Sequence, residues 1–220
     1  MIRSLRLLVG LFAFMMAITT HGSAQEGTPV ALPTTPSPRL CTKRLEPDQL
    51  MTRIESGEAA IESGLSQEVG TFTDAGEFIL PEGEPADEAT IAAITATAQN
   101  WVACVNSGQY LKLLSLFSDE WLYLEYSDPP LTKEQIADLS ATPVVVPRKL
   151  YGSLVAVRDV RVLPDGRVAA LVETDYPEEP PEGVEVDFLV FVQRDGQWFI
   201  DDLVEDLEDQ YPPTSEPSTP

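Results

Sequence analysis

The stretch WVACVNSGQYLKLLSLFSDEWLYLE, residues 101–125, contains two apolar helical segments separated by a break. Apolar residues recur every three or four positions on both sides of the break, so each segment presents one apolar face. Gly108 lies where the first segment stops, and glycine is common just after a helix C-terminus. The pattern predicts a pair of helices that covers another layer of the protein. The apolar positions are Ile91, Ile94, Ala98, Trp101, Val102 and Val105 in the first helix, and Tyr110, Leu113, Leu114 and Phe117 in the second.

The starts of two helices carry capping signals. Asp87 is a residue type that caps helix N-termini, and Glu88 beside it complements the helix dipole, so the first helix is expected to begin there. Thr132 and Gln135 have the spacing of a capping box, which predicts a third helix running to about Leu139.

Four strands follow the helices and pair into two hairpins. The turns are Pro164-Asp165-Gly166 and Asp195-Gly196, where glycine accepts the positive φ that a hairpin turn needs. Helices followed by two long hairpins predict an α+β fold with the helices on one face of an antiparallel sheet. The predicted strands are residues 150–163, 167–176, 184–194 and 197–205.

Residues 1–24 have the pattern of a secretory signal peptide, with two arginines, an apolar core and Gly22-Ser23-Ala24 at the end. The apolar core is shorter than the roughly 20 residues that span a bilayer, so cleavage is expected and an uncleaved anchor is the alternative. We therefore expect a secreted or extracytoplasmic protein without a transmembrane segment after cleavage.

Charge and histidine content exclude several classes of mechanism and partner. Cleavage would remove His21, the only histidine, and leave 12 basic residues against 36 acidic ones, a net charge of −24. A mature chain without histidine has no Ser-His-Asp or Cys-His mechanism and no imidazole metal ligand. The acidic excess argues against nucleic acid and anionic membranes as partners, and it favours solubility.

Three segments flank or precede the helices and hairpins. The linker at residues 25–39 and the tail at residues 208–220 are expected to be disordered, because Pro-, Ser- and Thr-rich sequence cannot bury a core. The extension at residues 40–86 is expected to lie as an arm on the main domain. It has one predicted short helix, from Pro47 to Ile54, and its stretch from Phe72 to Leu80 is interrupted by Gly76 and carries Asp74 and Glu77.

Cys41 and Cys104 are the only cysteines. In an oxidising compartment they are expected to form a disulfide that ties the arm to the first helix. Two buried free thiols and a reactive pair are the alternatives, although the pair lacks the C-x-x-C spacing of redox motifs.

Three motifs resemble the nuclear transport factor 2-like, or SnoaL-like, superfamily. They are NSGQY at residues 106–110, LKLLSLFSDE at 111–120 and the hairpin VDFLVFVQRDGQWFIDDLVED at 186–206. The resemblance covers residues 87–207. It implies a cone, in which a curved antiparallel sheet wraps around a helix and leaves a cavity open at one end. Members of the superfamily include isomerases, dehydratases, cyclases and epoxide hydrolases, as well as proteins without catalysis.

Asp201 is a candidate acid or base. A two-residue turn at Asp195-Gly196 pairs Val190 with Asp201 and places the carboxylate on the apolar face of Phe188. Burial in a cavity wall would raise its pKa, whereas a one-residue bulge at the glycine of the turn would move it to the other face and expose it.

Asp187 and Arg158 are charged residues inside otherwise apolar strands. As a pair they can position a water for epoxide opening, with the carboxylate as the base. The alternative is an ion pair on the solvent side of the sheet.

Aromatic residues are candidates for lining the cavity, with packing in the core as the alternative. Within the cluster Trp121, Tyr123 and Tyr126, Tyr123 is the residue to test against a steroid-like or polyketide-like ligand. The full set of predicted pocket residues is Trp101, Phe117, Trp121, Tyr123, Phe188 and Trp198.

No metal and no cofactor are expected. The acidic end from Asp201 to Asp209 lacks the spacing and the glycine of a calcium loop, and no glycine-rich loop leads into a helix with a lysine.

These observations favour a secreted, non-catalytic domain that binds a small apolar ligand or a partner protein. A homodimer through an exposed face of the sheet is a further expectation. The alternative is a small-molecule isomerase or hydrolase that uses Asp and Tyr acid-base chemistry in the cone cavity.

Overall fold

A computed structural model gives the fold and describes residues 35–62, 69–141, 144–176 and 183–214. The part of the chain outside it comprises the predicted signal peptide, residues 25–34 of the predicted linker, residues 63–68 of the predicted arm, residues 142–143, the connection at residues 177–182 and the last six residues of the tail.

The described residues form five α-helices and seven strands. No helix among them is long and apolar enough to cross a membrane. The helices are α1 Pro47–Glu62, α2 Glu88–Ser107, α3 Tyr110–Leu113, α4 Asp119–Tyr126 and α5 Lys133–Ala141. The strands are β1 Thr71–Phe72, β2 Phe78–Ile79, β3 Glu84–Pro85, β4 Ser153–Val162, β5 Val168–Asp175, β6 Val184–Arg194 and β7 Gln197–Val204.

The predicted helix boundaries at Asp87, Gly108 and Thr132 are confirmed. The Asp87 carboxylate accepts the Thr90 amide at 2.7 Å, and Gly108 ends α2 with φ of 60°. Thr132 and Gln135 form the capping box, with the two reciprocal hydrogen bonds at 2.8 and 3.2 Å. Local chemistry therefore sets these boundaries.

The predicted second helix is wrong beyond its first turn. After α3 the chain passes through a 3-10 turn, Leu114–Leu116, and Phe117 is extended with ψ of 155°. The cause is tertiary, because the Ser118 amide donates to the Ile200 carbonyl of β7 at 2.7 Å. The Ser118 hydroxyl then caps α4 by accepting the Trp121 amide at 3.0 Å.

Five of the described strands form one antiparallel sheet in the order β3-β4-β5-β6-β7. The two predicted hairpins, β4-β5 and β6-β7, are both present, with positive φ at Gly166 and Gly196. Strand β3 extends the sheet at its β4 edge and was not predicted. The fold class α+β is confirmed.

The sheet has two covered faces. The inner face packs against the helices and consists of Val168, Ala170, Val172, Leu189, Phe191 and Ile200. The outer face consists of Ala169, Leu171, Val186, Phe188 and Val190.

The outer face is buried, which removes the basis for the predicted homodimer through an exposed sheet face. Val69 and Phe78, from the β1-β2 region, and Leu207, after β7, pack on it in one cluster. The apolar residues of this face are thus covered by the arm and by the end of the same chain.

The predicted tail and linker are not disordered throughout. Residues 208–214 lie on the outer side of the sheet, where the Tyr211 hydroxyl donates to the Phe78 carbonyl at 2.8 Å. On the linker side, the Pro36 carbonyl accepts a hydrogen bond from Asn106 at 3.2 Å. Residues 35–39 and 208–214 thus contact the domain through hydrogen bonds that composition alone does not show.

The described residues of the predicted arm pack against the rest of the domain, and the helix of the arm is longer than expected. Helix α1 extends to Glu62 and buries Leu50 and Ile54 in the inner core. The disulfide between Cys41 and Cys104 is present and joins the start of the arm to α2.

Candidate functional site

A cavity of about 700 Å³ lies between the helices and one end of the sheet. At this end β5 stops, β6 starts and β7 stops, so residues from three neighbouring strands meet the helical layer. The helical side is formed by Trp101, Val105, Asn106, Tyr110, Leu113, Phe117, Trp121, Glu125 and Tyr126, and the sheet side by Tyr176, Glu185, Asp187, Leu203 and Glu205. Residues 144–147 and Leu150 complete the lining.

The helical wall is aromatic. Phe117 and Trp121 stack with their ring centroids 3.9 Å apart, and Trp121 meets the Tyr126 ring edge-on at 6.1 Å. Such pairs hold the rings in preferred relative orientations.

A tyrosine pair lies in the same wall. The hydroxyls of Tyr110 and Tyr126 share a hydrogen bond. Burial first, and then the hydrogen bond to Tyr110, hold the pKa of Tyr126 above its usual range. Tyr126 therefore stays protonated at neutral pH and can act as a hydrogen-bond donor.

The sheet wall is acidic. Asp187 is 4% exposed and lies on the inner side of β6, opposite Val172 of β5. Burial, followed by the charges of Glu185 and Glu205, raises the pKa of Asp187 to about 7. The backbone amide of Asp206 donates to its carboxylate and acts in the other direction. Asp187 is thus a carboxyl group that gains or loses its proton near neutral pH.

The acidic character of the wall is not balanced by basic side chains in the lining. Among the described residues that line the cavity, four are acidic and none is Lys, Arg or His. Three basic residues, Lys112, Arg148 and Lys149, are each adjacent in sequence to a lining residue.

Asn106 fixes one end of the cavity. Its side chain accepts from the Gly152 amide at 2.7 Å and donates to the Gly152 carbonyl at 3.0 Å, so it binds the backbone just before β4. The same amide group donates to the Pro36 carbonyl. A buried asparagine with three backbone partners holds α2, β4 and the linker together.

Residues 144–147 form one rim of the cavity. The Val144 amide donates to the Gly108 carbonyl at 3.0 Å, and Val145 is 87% exposed. A Cβ on Gly108 would lie 1.8 Å from the Val144 carbonyl oxygen. Glycine at this position therefore serves both the helix end and the close approach of the rim.

Asp201 does not line the cavity. Val192 pairs with Phe199 as predicted, but Phe191 pairs with Ile200 and Val190 with Asp202, so Asp201 is the extra residue of a bulge. It is buried rather than exposed, and its carboxylate accepts from Arg167 Nη1 at 2.8 Å. The sequence-based pairing of Val190 with Asp201 is wrong because the bulge falls at the aspartate itself.

The predicted Asp187 and Arg158 pair is wrong as well. Arg158 lies on the outer side of the sheet and pairs with Glu173, its Nε lying 2.6 Å from Oε1. Asp187 lies on the inner side, in the cavity wall. The sheet separates the two side chains.

The predicted pocket residues divide into two groups. Trp101, Phe117 and Trp121 line the cavity. Phe188 packs on the outer face against Phe78, Tyr123 lies near Glu58 with its hydroxyl 3.4 Å from Oε1, and Trp198 packs against the inner core outside the lining.

Sequence reasoning missed Glu185 and Glu205. A signal for Glu185 was present, since Glu185, Asp187 and Leu189 alternate along β6 and must point to the same side. Glu205 follows the bulge, so its side could not be assigned before the register was known.

No metal site is found in the described part of the chain, where His, Cys, Asp and Glu side chains form no group of three or more that could hold an ion. No protein-family model, no curated protein and no solved structure matches this chain.

Proposed function

We propose that this chain is an exported binding protein whose cavity takes up a small amphipathic molecule. The observation that carries the proposal is the cavity of about 700 Å³, with an aromatic wall on one side and a buried carboxyl group on the other. Ligand sites in proteins are concave and mostly apolar, with a few polar groups that orient the ligand. A volume of this size is within the usual range for a drug-sized molecule.

Three contacts support a preformed site. The Phe117 and Trp121 rings stack, the Tyr110 and Tyr126 hydroxyls are joined, and Asn106 holds the backbone at one end. A wall fixed in this way loses little side-chain freedom when a ligand binds, which favours affinity.

The proposal includes a relationship to the nuclear transport factor 2-like superfamily. It rests on the motifs at residues 106–120 and 186–206, together with helices packed on one face of an antiparallel sheet and a cavity between them. Export rests on the pattern of residues 1–24 and is consistent with a disulfide in the arm.

The test is native mass spectrometry of the exported full chain, followed by denaturation and identification of the released mass. The purified protein is also titrated with the neutral fluorescent probe N-phenyl-1-naphthylamine. We expect a released small molecule or saturable binding of the probe with one site per chain. Absence of both would overturn the proposal.

A matched pair of variants places the site. Val105 lines the cavity, and Val105→Trp fills part of it. Leu124 is 62% exposed on α4, so Leu124→Trp adds the same side chain outside the lining. Probe affinity should fall at least severalfold in the first variant and stay unchanged in the second. Equal effects in both variants would contradict binding in this cavity.

A second candidate function is a small-molecule isomerase or hydrolase. It is favoured by Asp187, whose pKa of about 7 suits a general acid or base, and by the Tyr110 and Tyr126 pair in the opposite wall. The test is deuterium exchange from solvent into ketones bound by the protein. Exchange that is lost in Asp187→Asn while binding is retained would support the enzyme, and binding without exchange would support the binding protein.

A further inference from the structure

A second cavity, of about 490 Å³, lies where the end of α2, α3 and α5 meet the rim. Five residues line this second cavity and the cavity described above, so they form a wall between the two. The shared residues are Val105, Tyr110, Leu113, Val144 and Val146, and those that line only the second cavity are Cys104, Gly108, Gln109, Asp138 and Leu139.

We propose that the ligand is a single straight hydrocarbon chain with an uncharged hydroxyl head, and that it occupies both cavities. The head would lie in the cavity described above, and the chain would cross the shared wall so that its end lies in the second cavity. This inference rests on the proposed binding function and names the class of ligand for it.

The first argument is the unequal distribution of polar side chains. The Tyr110 hydroxyl is joined to that of Tyr126, which lines only the cavity described above, as do Asn106 and Asp187. The polar side chains that line only the second cavity are Gln109, which is partly exposed, and Asp138, which is exposed. A ligand that fills both cavities therefore meets polar groups at one end and mainly apolar surface at the other.

The second argument is the apolar surface of the shared wall. Val105, Tyr110 and Leu113 pack against the inner core but are only partly buried. Val144, on the rim side of the wall, is 69% exposed. A hydrocarbon chain that covers this surface removes it from water, which favours binding in proportion to the apolar area covered.

The third argument is the position of exposed apolar side chains. Leu139 and Val144 line the second cavity, and both belong to the large apolar residues that are exposed in the described part of the chain. Val145, which follows in the rim, is a third member of that set. Single exposed apolar residues are common, whereas a group of them beside a cavity is typical of a binding surface.

The rim determines the shape of a ligand that can cross the wall. The Val144 amide donates to the Gly108 carbonyl at 3.0 Å, so the rim backbone is held against the end of α2. A fused-ring body would have to separate the rim from α2, whereas a methylene chain needs only rotamer changes in the side chains of the wall. A straight chain is therefore the shape that fits both cavities.

The experiment measures the affinity of the full chain for primary alkanols from hexanol to dodecanol by isothermal titration calorimetry. These ligands share one hydroxyl head and differ only in chain length. We expect the affinity to rise by up to about fourfold for each added methylene through dodecanol. Equal affinities for hexanol and dodecanol would overturn the inference.

A matched pair of variants locates the end of the chain. Leu139→Trp fills part of the second cavity, and Leu124→Trp makes the same change on α4 outside both linings. Leu139→Trp should lower the affinity for dodecanol at least about tenfold, because the terminal methylenes lose their buried site. Its affinity for hexanol and for N-phenyl-1-naphthylamine should stay unchanged, and Leu124→Trp should change none of these affinities. If Leu139→Trp does not fold, Gln109→Trp in the same lining should have the same effect.

The outcomes separate this inference from the proposed function. If the probe binds and the folded variant binds dodecanol as the wild type does, the protein is a binding protein and the inference is wrong. If the variant loses affinity for hexanol and dodecanol equally, the inference is wrong as well. If neither the probe nor any alkanol binds, both are overturned.

Another possible occupant of the apolar opening is a second copy of the chain, which analytical ultracentrifugation detects. Val145 is 87% exposed and does not line the second cavity, so Val145→Ser changes the opening without filling that cavity. We expect a monomer for both the wild type and this variant. A wild-type dimer that Val145→Ser dissociates would mean that the opening is an interface between copies, and it would overturn the inference.

Discussion

Asp187 is almost completely buried and also lines the cavity. Its neighbours on the sheet side are acidic. The backbone amide of Asp206 donates a hydrogen bond to its carboxylate, which favours the ionised form. Desolvation is the largest cause of its raised pKa. Because burial disfavours the ionised form of this carboxyl, its protonation should change the unfolding free energy of the whole protein.

The first prediction concerns the dependence of this unfolding free energy on pH. In the unfolded chain an aspartate ionises near pH 4, whereas Asp187 in the folded protein ionises near pH 7. Between these values the native state holds a proton that the unfolded state has released. The contribution of Asp187 is therefore fully present below about pH 4 and is lost as the pH rises through about 7.

The variant Asp187→Asn has no such group, so it isolates this effect from the other carboxylates. From about pH 4 to about pH 8, the wild type should lose a few kcal/mol of unfolding free energy relative to the variant. Urea denaturation followed by tryptophan fluorescence measures the difference. Asp74→Asn, the same change at an exposed turn, should follow the wild type, and a constant difference between Asp187→Asn and wild type across the pH range would contradict the assignment.

The side of the sheet on which Asp201 lies could not be decided from the sequence. Asp201 and Asp202 are adjacent, so the alternation of β7 places one on each side in any regular register. In the structure a bulge at Asp201 places Asp202 on the outer side of the sheet, and Asp201 forms an ion pair with Arg167. A bulge depends on contacts across strands, and those contacts are not encoded within the hairpin turn.

At the scale of elements, helices α1 and α4 pack closely at Gly57. A Cβ on Gly57 of α1 would lie 2.0 Å from the Asp119 carbonyl oxygen and 2.8 Å from the Tyr123 Cβ. The first of these is a backbone atom, which cannot move aside as a flexible side chain can. Glycine at this position therefore sets the distance between the two helices.

We predict that Gly57→Ala lowers the unfolding free energy by about 1–3 kcal/mol, the usual range for an overpacked contact. The sign is informative, because alanine normally stabilises a helix interior by about 1 kcal/mol relative to glycine. Ser56→Ala changes an exposed neighbour in the same helix and should be nearly neutral. Thermal unfolding measures both variants, and a stabilised Gly57→Ala would contradict the close approach.

The elements that could be predicted are those whose boundaries depend on local chemistry. The cap at Asp87, the glycine at Gly108, the capping box at Thr132 and the two hairpin turns all act within a few residues. The disulfide followed from the presence of only two cysteines. In the candidate site, Trp101, Phe117 and Trp121 were predicted as aromatic residues that could line a cavity beside the helices.

The elements that could not be predicted depend on distant partners. The break at Phe117 is produced by β7, and β3 forms because Glu84 and Pro85 meet the edge of β4. The cavity shares this property. Its acidic wall comes from the ends of two strands, and Glu205 is placed only after the bulge is known.

At the scale of the whole molecule, the sheet is covered on both sides by parts of one chain. The helices cover the inner face, and the β1-β2 hairpin with the segment after β7 covers the outer face. Two sets of long-range contacts hold these packed segments against the sheet. One is the disulfide from Cys41 to Cys104, and the other is a group of hydrogen bonds around Glu173.

Glu173 is completely buried on the outer side of β5, and its partners come from two directions. Arg158 of β4 reaches it at 2.6 Å, and the amide and hydroxyl of Thr214 each donate to it at about 3 Å. Arg158 also donates to the carbonyls of Tyr211 and Pro212. A buried carboxylate is tolerated when several donors surround it, and here the end of the chain supplies some of them.

We therefore predict that a chain ending after Leu207 is less stable by about 2–4 kcal/mol, because hydrogen bonds to charged groups are stronger than neutral ones and their loss leaves a buried charge poorly solvated. A chain ending after Thr214 keeps all of these contacts and should match the full chain. Urea denaturation compares the three proteins. Since Tyr211 also bonds to Phe78 of β2, the shorter chain should show faster amide exchange in the β1-β2 hairpin. Equal stability of the two truncated chains would mean that Arg158 alone satisfies Glu173. Residues 208–214 would then contribute nothing to the packing on the outer face of the sheet.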